Sequence, residues 1–118
     1  MYVDRVTGKL NVKVAAFTSS VVTISSDTEI DVFTNKGASG QVEFKLPAAK
    51  VGMEYTFVAE AAQNIRLTPA TGEQVSLAGT LQTANTSITG TGAQNLVCKL
   101  TCLTVGQWKD TFQRGTWA

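Results

Sequence analysis

Leu96-Val97-Cys98-Lys99-Leu100-Thr101-Cys102-Leu103 divides into two faces, with Leu96, Cys98, Leu100 and Cys102 on one and Val97, Lys99, Thr101 and Leu103 on the other. Alternation with a period of two marks a strand with one side in a core, because successive side chains of an extended chain point to opposite faces. The same pattern sets Leu10, Val12 and Val14 against Lys9, Asn11 and Lys13, and Val42, Phe44 and Leu46 against Gln41, Glu43 and Lys45. It returns more briefly at Tyr55 and Phe57 and at Ile65 and Leu67.

Turn-forming residues separate these runs at short intervals: Asn35-Lys36-Gly37, Leu46-Pro47, Val51-Gly52, Pro69-Ala70-Thr71-Gly72, Ala78-Gly79, Gly90-Thr91-Gly92 and Val105-Gly106. Short strands with such punctuation predict an all-β fold, a jelly-roll-like sandwich or barrel of about eight or more short antiparallel strands. The expected strands fall at 9–14, 21–24, 29–34, 41–46, 54–60, 64–68, 74–77, 80–83, 87–89, 95–103 and 107–113. Seventeen threonines suit such half-solvated pleated surfaces. Residues 1–20 are expected to form an N-terminal arm or first strand, and residues 21–118 a single β domain. No repeat of solenoid type is visible.

The composition narrows function chiefly by exclusion. The 118 residues carry ten Lys and Arg against nine Asp and Glu, spread along the chain without a basic patch, which argues against nucleic-acid binding driven by counterion release. There is no histidine, so serine triads, cysteine–histidine dyads and the usual zinc-water hydrolysis are excluded. Asp4, Arg5 and Lys9 interrupt the first ten residues where a secretory leader needs an apolar run, and no window matches a membrane span. Thr7-Gly8-Lys9 lacks the upstream glycine of a phosphate loop, and Gly90-Thr91-Gly92 is half of a dinucleotide fingerprint without its βαβ setting; both read as turns. Asn85-Thr86-Ser87 fits a glycosylation sequon and reads as a polar loop.

Three features bear on chemistry or contact. Asp27, Glu29 and Asp31 would share one face of a strand, as a cation site or as a solvated, charge-protected edge; the second reading is preferred, and no metal or cofactor is expected. Cys98 and Cys102, four apart in one strand, are too distant to bridge each other and are expected as buried thiols. Glu43, Glu54 and Glu60 alternate with core positions and point outward, so no catalytic carboxylate pair is expected and the chain reads as a non-enzyme. Trp108 and Phe112 have the same strand parity, and Trp117 lies beside the C-terminus; spacing does not separate core packing from a subunit interface for these three.

The residues Gly40-Gln41-Val42-Glu43-Phe44-Lys45-Leu46-Pro47-Ala48-Ala49, Gly52-Met53-Glu54-Tyr55-Thr56-Phe57-Val58, Ala62-Gln63-Asn64-Ile65-Arg66-Leu67-Thr68-Pro69 and Thr71-Gly72-Glu73 resemble a module of structural proteins in tailed bacteriophages. Trp108 and Gly115-Thr116-Trp117 are similar to the usual end of that module. The resemblance spans roughly residues 35–118 and carries no catalytic motif. It implies a β-rich virion protein, often trimeric, of the capsid decoration (cement), head-fibre or tail-fibre type. The layout, with Met1 shortly before the β module and no fibrous shaft, favours a small homotrimer that clips onto the capsid surface. Its expected partners are the major capsid protein and its own copies, and its expected location is the virion, after synthesis in the bacterial cytoplasm. Tyr2, Val3, Leu10 and Phe17 are the expected capsid or neighbour contacts, and Trp108, Phe112 and Trp117 the expected subunit interface. The alternatives are a receptor- or glycan-binding module of a tail fibre or spike and, less favoured, a carboxylate-based glycan hydrolase.

Overall fold

The computed structural model describes residues 12–118, and among them the fold is all-β, with eleven strands and no helix. In chain order these are β1 (Val14–Ala16), β2 (Val21–Thr23), β3 (Val32–Thr34), β4 (Val42–Lys45), β5 (Glu54–Val58), β6 (Ile65–Thr68), β7 (Gln74–Leu77), β8 (Thr80–Leu81), β9 (Ile88–Gly90), β10 (Val97–Thr104) and β11 (Gln107–Arg114). Each expected strand has a counterpart. The largest offset is at the first, where alternation predicts 9–14 and β1 begins at Val14.

The strands form a seven-stranded sheet, ordered β1-β3-β5-β10-β11-β7-β8, and a four-stranded sheet, ordered β2-β4-β6-β9. Both sheets are mixed, which corrects the antiparallel expectation. In the larger sheet β1, β3 and β5 run parallel side by side, and in the smaller one β2, β4 and β6 do the same. The chain crosses to the opposite sheet after each of its first five strands, so residues 14–68 wind as three turns of a flattened coil. Returning to the same sheet after each crossing makes the neighbours parallel. The steps are unequal, since Val14 lies beside Val32 and Val32 beside Thr56. Unequal coils leave no periodic signal in the sequence. The C-terminal half then closes the sheets with antiparallel pairs, β10 with β5 and β11 and β9 with β6.

The core fills the space between the sheets. Phe33 and Phe57 of the larger sheet stack with centroids 5.3 Å apart, and Phe44 of the smaller sheet lies 5.7 Å from Phe33 and 5.2 Å from Phe57. Tyr55 extends this cluster to the fully buried Trp108 at 5.6 Å. Burying an aromatic ring of this kind contributes on the order of 2–3 kcal/mol, before any gain from ring–ring geometry. Val42, Ile65, Leu67, Ile88, Leu100, Cys98 and Cys102 complete the inner layer.

Asn35, fully buried after β3, pins a loop that has no ladder of its own. Its Oδ1 accepts the amides of Glu60 at 2.8 Å and Ala61 at 2.9 Å, and its Nδ2 donates to the carbonyls of Ala61 at 3.3 Å and Gln63 at 3.4 Å. The β7–β8 hairpin turns through Ala78 and Gly79, both with positive φ, as a two-residue turn matched to strand twist requires.

Candidate functional site

The two sheets present chemically different outer faces. On the four-stranded sheet, inward Val22, Phe44, Leu67 and Ile88 leave Val21, Glu43, Arg66 and Thr89 in one outward row and Thr23, Lys45, Thr68 and Ser87 in the next. Four of these side chains form one network: Thr68 Oγ1 donates to Glu43 Oε2 at 2.5 Å, Thr68 and Ser87 hydroxyls lie 2.8 Å apart, and Arg66 Nε is 3.7 Å from Glu43. Val21 is the single apolar member of these two rows.

The outer face of the seven-stranded sheet differs. One row across five strands reads Val14, Val32, Thr56, Lys99 and Phe112, and the adjacent row reads Ala16, Thr34, Val58, Val97 and Arg114. Six of these ten positions are apolar. Val14 is 62% and Phe112 50% exposed, at opposite ends of their row, and Leu103, farther along β10, is 61% exposed. Lys99 Nζ lies 3.3 Å from Glu54 Oε1, and Thr101 Oγ1 donates to Glu54 Oε2 at 2.9 Å, so the charges on this face are locally paired.

Phe112 reaches that face through a β-bulge. Lys99 pairs with Phe112 but Leu100 pairs with Asp110, so Thr111 is an extra residue in β11. The insertion reverses strand parity between Trp108 and Phe112. The expectation that they share a face is therefore corrected: Trp108 is buried among core residues, Phe112 points outward. Strand parity could not reveal this, because nothing in Asp110-Thr111-Phe112 advertises the bulge.

Phe17 and Trp117 both pack on the domain. Phe17 packs on Phe33 and Phe44 at 5.7 and 5.8 Å, so the described end of the expected arm lies against the body. Trp117 belongs to a terminal strap that leaves β11 at Gly115 and pairs with β9. The Thr89 amide donates to the Ala118 carbonyl at 2.7 Å, the Ala118 amide to Thr89 at 2.9 Å, and Trp117 Nε1 to the Arg114 carbonyl at 3.1 Å. The indole covers Gly90, where a Cβ would lie 3.0 Å from it. Tyr2, Val3 and Leu10 lie outside the described residues.

The acidic triplet does not converge. Residues 25–31 form a loop, not a strand, in which Glu29 pairs with Lys13 Nζ at 2.8 Å, Asp31 accepts the Lys13 amide at 3.0 Å and Asp27 accepts from Ser25. The hydrogen bond and charge of Lys13 hold the Glu29 carboxyl below its ordinary range, and Glu29 raises Lys13 in return. No group of three or more potential metal ligands occurs among the described residues. Cys98 and Cys102 are unbridged and buried. Burial pushes the Cys98 thiol up to about 12, and it also raises Cys102 and the Tyr55 phenol. Neither thiol is a nucleophile at neutral pH.

No known family model matches the chain, and no curated protein matches it at a significant level.

Proposed function

We propose that this chain is a structural protein of a tailed-bacteriophage virion, a capsid decoration protein that binds the outer shell as a homotrimer and stabilises it. The observation that carries the reading is the contrast between its outer sheet faces: one polar, the other richer in apolar residues, with Val14, Leu103 and Phe112 exposed among the described residues. A body written to pack against copies of itself and a lattice needs such a face, and contiguous exposed apolar patches on small soluble domains mark interaction sites. The resemblance over residues 35–118 supplies the virion setting, with the major capsid protein as partner and the capsid surface as location. Near-neutral charge suits a coat, because repeated copies on one particle then do not repel each other. Symmetry turns modest contacts into avidity.

Co-sedimentation with capsids of the phage that encodes the chain tests this reading. Saturable binding to shells, with a raised capsid melting temperature, is the expected result; absence of binding together with binding to host polysaccharide would favour the tail-fibre reading. That second reading draws on the polar face, where Glu43, Arg66, Thr68 and Ser87 offer hydrogen-bonding groups in one plane.

A further inference from the structure

We infer that the end of the sandwich formed by the Val51-Gly52 and Val105-Gly106 turns is a docking tip, which seats in an apolar socket with a basic rim on another protein. The inference rests on the decoration reading above, under which that protein is the capsid shell, and deepens it by naming the residues that make the contact.

Val105, 72% exposed, and Val51, 65% exposed, are the two most exposed large apolar side chains among the described residues. They sit in neighbouring turns. The Met53 amide closes the first by donating to the Lys50 carbonyl at 3.1 Å, and Thr104 pairs with Gln107 across the second. Three backbone bonds join the two turns: the Gly52 amide to the Cys102 carbonyl at 3.0 Å, the Cys102 amide to the Met53 carbonyl at 2.9 Å, and the Gly106 amide to the Ala49 carbonyl at 3.1 Å. Leu103 stands exposed two residues before Val105. Three of the six exposed large apolar side chains are therefore held at one end, on a backbone already tied in place, which lowers the ordering cost of binding. The turns of the opposite end, at 36–40, 60–63 and 91–95, expose none among the described residues.

The fold does not call for valine in either turn. Gly52 and Gly106, with φ of +96° and +79°, take the left-handed position, and surface turns are otherwise dominated by polar residues and proline. Ala49, which is buried, and Met53, which packs on the core, anchor the first loop in place of Val51. Apolar side chains clustered in water without a packing role in the domain mark a contact surface. Because the tip is built from turns it is convex, so its partner is concave.

Charge selects the occupant. β2 and β4 both end at this end of the sandwich, and β3 and β5 both begin there, so the crossings 24–31 and 46–53 lie side by side. With the other loops of this end, at 12–13, 69–73, 82–87 and 105–106, they hold Asp27, Glu29, Asp31 and Glu73 against Lys13 and Lys50. That is a net of −2, in a chain whose total is +1. Glu73 lies at the base of the tip, where its Oε1 accepts the Ala49 amide at 2.9 Å. An acidic setting is complementary to a basic rim. It opposes an anionic lipid surface, and the tip also lacks the aromatic side chains that anchor at lipid headgroups.

Val51→Asn with Val105→Asn, made in the full chain, tests the inference with a residue that turns favour. The melting temperature is expected to stay unchanged, while binding to purified capsids of the phage that encodes the chain weakens at least tenfold in co-sedimentation. Val21→Asn, at the start of β2 and so at the other end, is expected to bind as the wild type does. Wild-type binding is expected to weaken as salt is raised, because salt screens opposite charges across a contact. Phosphatidylglycerol vesicles are expected to leave the protein in solution. The inference is overturned by a double variant that binds shells as tightly as the wild type, by one with a lowered melting temperature, which would give the valines a role in the fold, by shell binding indifferent to salt, or by vesicle binding that the double substitution abolishes. The two proposals fail differently. Shells that hold wild type and double variant alike overturn the tip and leave the decoration role, whereas shells that ignore the wild type overturn the decoration role and the tip with it.

Discussion

Replacing Asn35 by Ala removes the four hydrogen bonds that anchor residues 60–63 to the end of β3. Two of them satisfy the Glu60 and Ala61 amides at 2.8 and 2.9 Å; the two donated by Nδ2, at 3.3 and 3.4 Å, are longer and weaker. An amide left without its partner costs about 1–3 kcal/mol when buried, and the lower end applies here because Glu60 is exposed and Ala61 half-buried. Two amides at about 1 kcal/mol, with about half as much for each weak donor bond, give a loss of about 3 kcal/mol. For a domain of this size that corresponds to roughly 12 °C in melting temperature. The assay is urea unfolding followed by the fluorescence of Trp108 and Trp117 at one fixed protein concentration, since assembly makes apparent stability concentration-dependent. Asn35→Asp sharpens the test. It keeps the oxygen that accepts both amides but sets a buried carboxylate against the Ala61 and Gln63 carbonyls, and burial with that repulsion raises its pKa in the folded state. A folded pKa above the unfolded one means stability present at low pH and lost as pH rises through the folded value. The Asn35→Asp variant should therefore be more stable near pH 4, relative to wild type, than at pH 7. A loss below about 1 kcal/mol for Asn35→Ala, or a pH-independent Asn35→Asp difference, would refute the assignment of Asn35 as the loop's anchor.

Gly115→Ala should destabilise more than Gly90→Ala, because Gly115 has φ +95° and a Cβ there would run into Leu96, whereas at Gly90 the conflict is only with Trp117 and Leu96 at 3.0–3.1 Å. Faster hydrogen exchange at Thr89, whose amide bonds to Ala118, is the readout in both variants. Ser76→Ala should be neutral or stabilising in urea titration, since Ser76 Oγ is buried without a hydrogen-bond partner among the described residues. A loss above about 1 kcal/mol would show that the hydroxyl is in fact engaged. Cys98 should resist alkylation in the native state at pH 8. Its thiol lies near 9 when unfolded and about 12 when folded, so the wild type should lose stability, relative to Cys98→Val, as pH rises from 9 toward 12, by up to about 1.4 kcal/mol per pH unit. A flat difference would contradict the burial of that thiol.

Alternation in the sequence gives the inside and outside of strands without naming their partners. Val42 and Phe44, Ile65 and Leu67, and Leu96, Cys98, Leu100 and Cys102 are all inward as their spacing predicts. Direction and neighbour are different quantities: an inward-outward pattern reads the same whether the adjacent strand is parallel or antiparallel, and pairings such as Glu43 beside Arg66 join residues far apart in sequence. The coil of β1–β6 was illegible for that reason. The acidic triplet misleads because Asp27, Glu29 and Asp31 share parity only if extended, and Lys13 and Ser25 draw them into a loop. At the candidate surface, Val97, Lys99 and Leu103 were readable as the outer side of β10. Phe112 was not, because one bulged residue at Thr111 flips it. Asn35 was legible only as a turn residue, and its role depends on a loop 25 residues away.

The most direct test of the virion role is binding of the full chain to purified capsids of the phage that encodes it, measured by co-sedimentation over a concentration series. The account predicts saturation at a multiple of three copies per lattice site, on the outer shell, with capsids that withstand higher temperature than bare ones. Capsids that sediment without the protein at concentrations where it is already trimeric, and melt at an unchanged temperature, would contradict it.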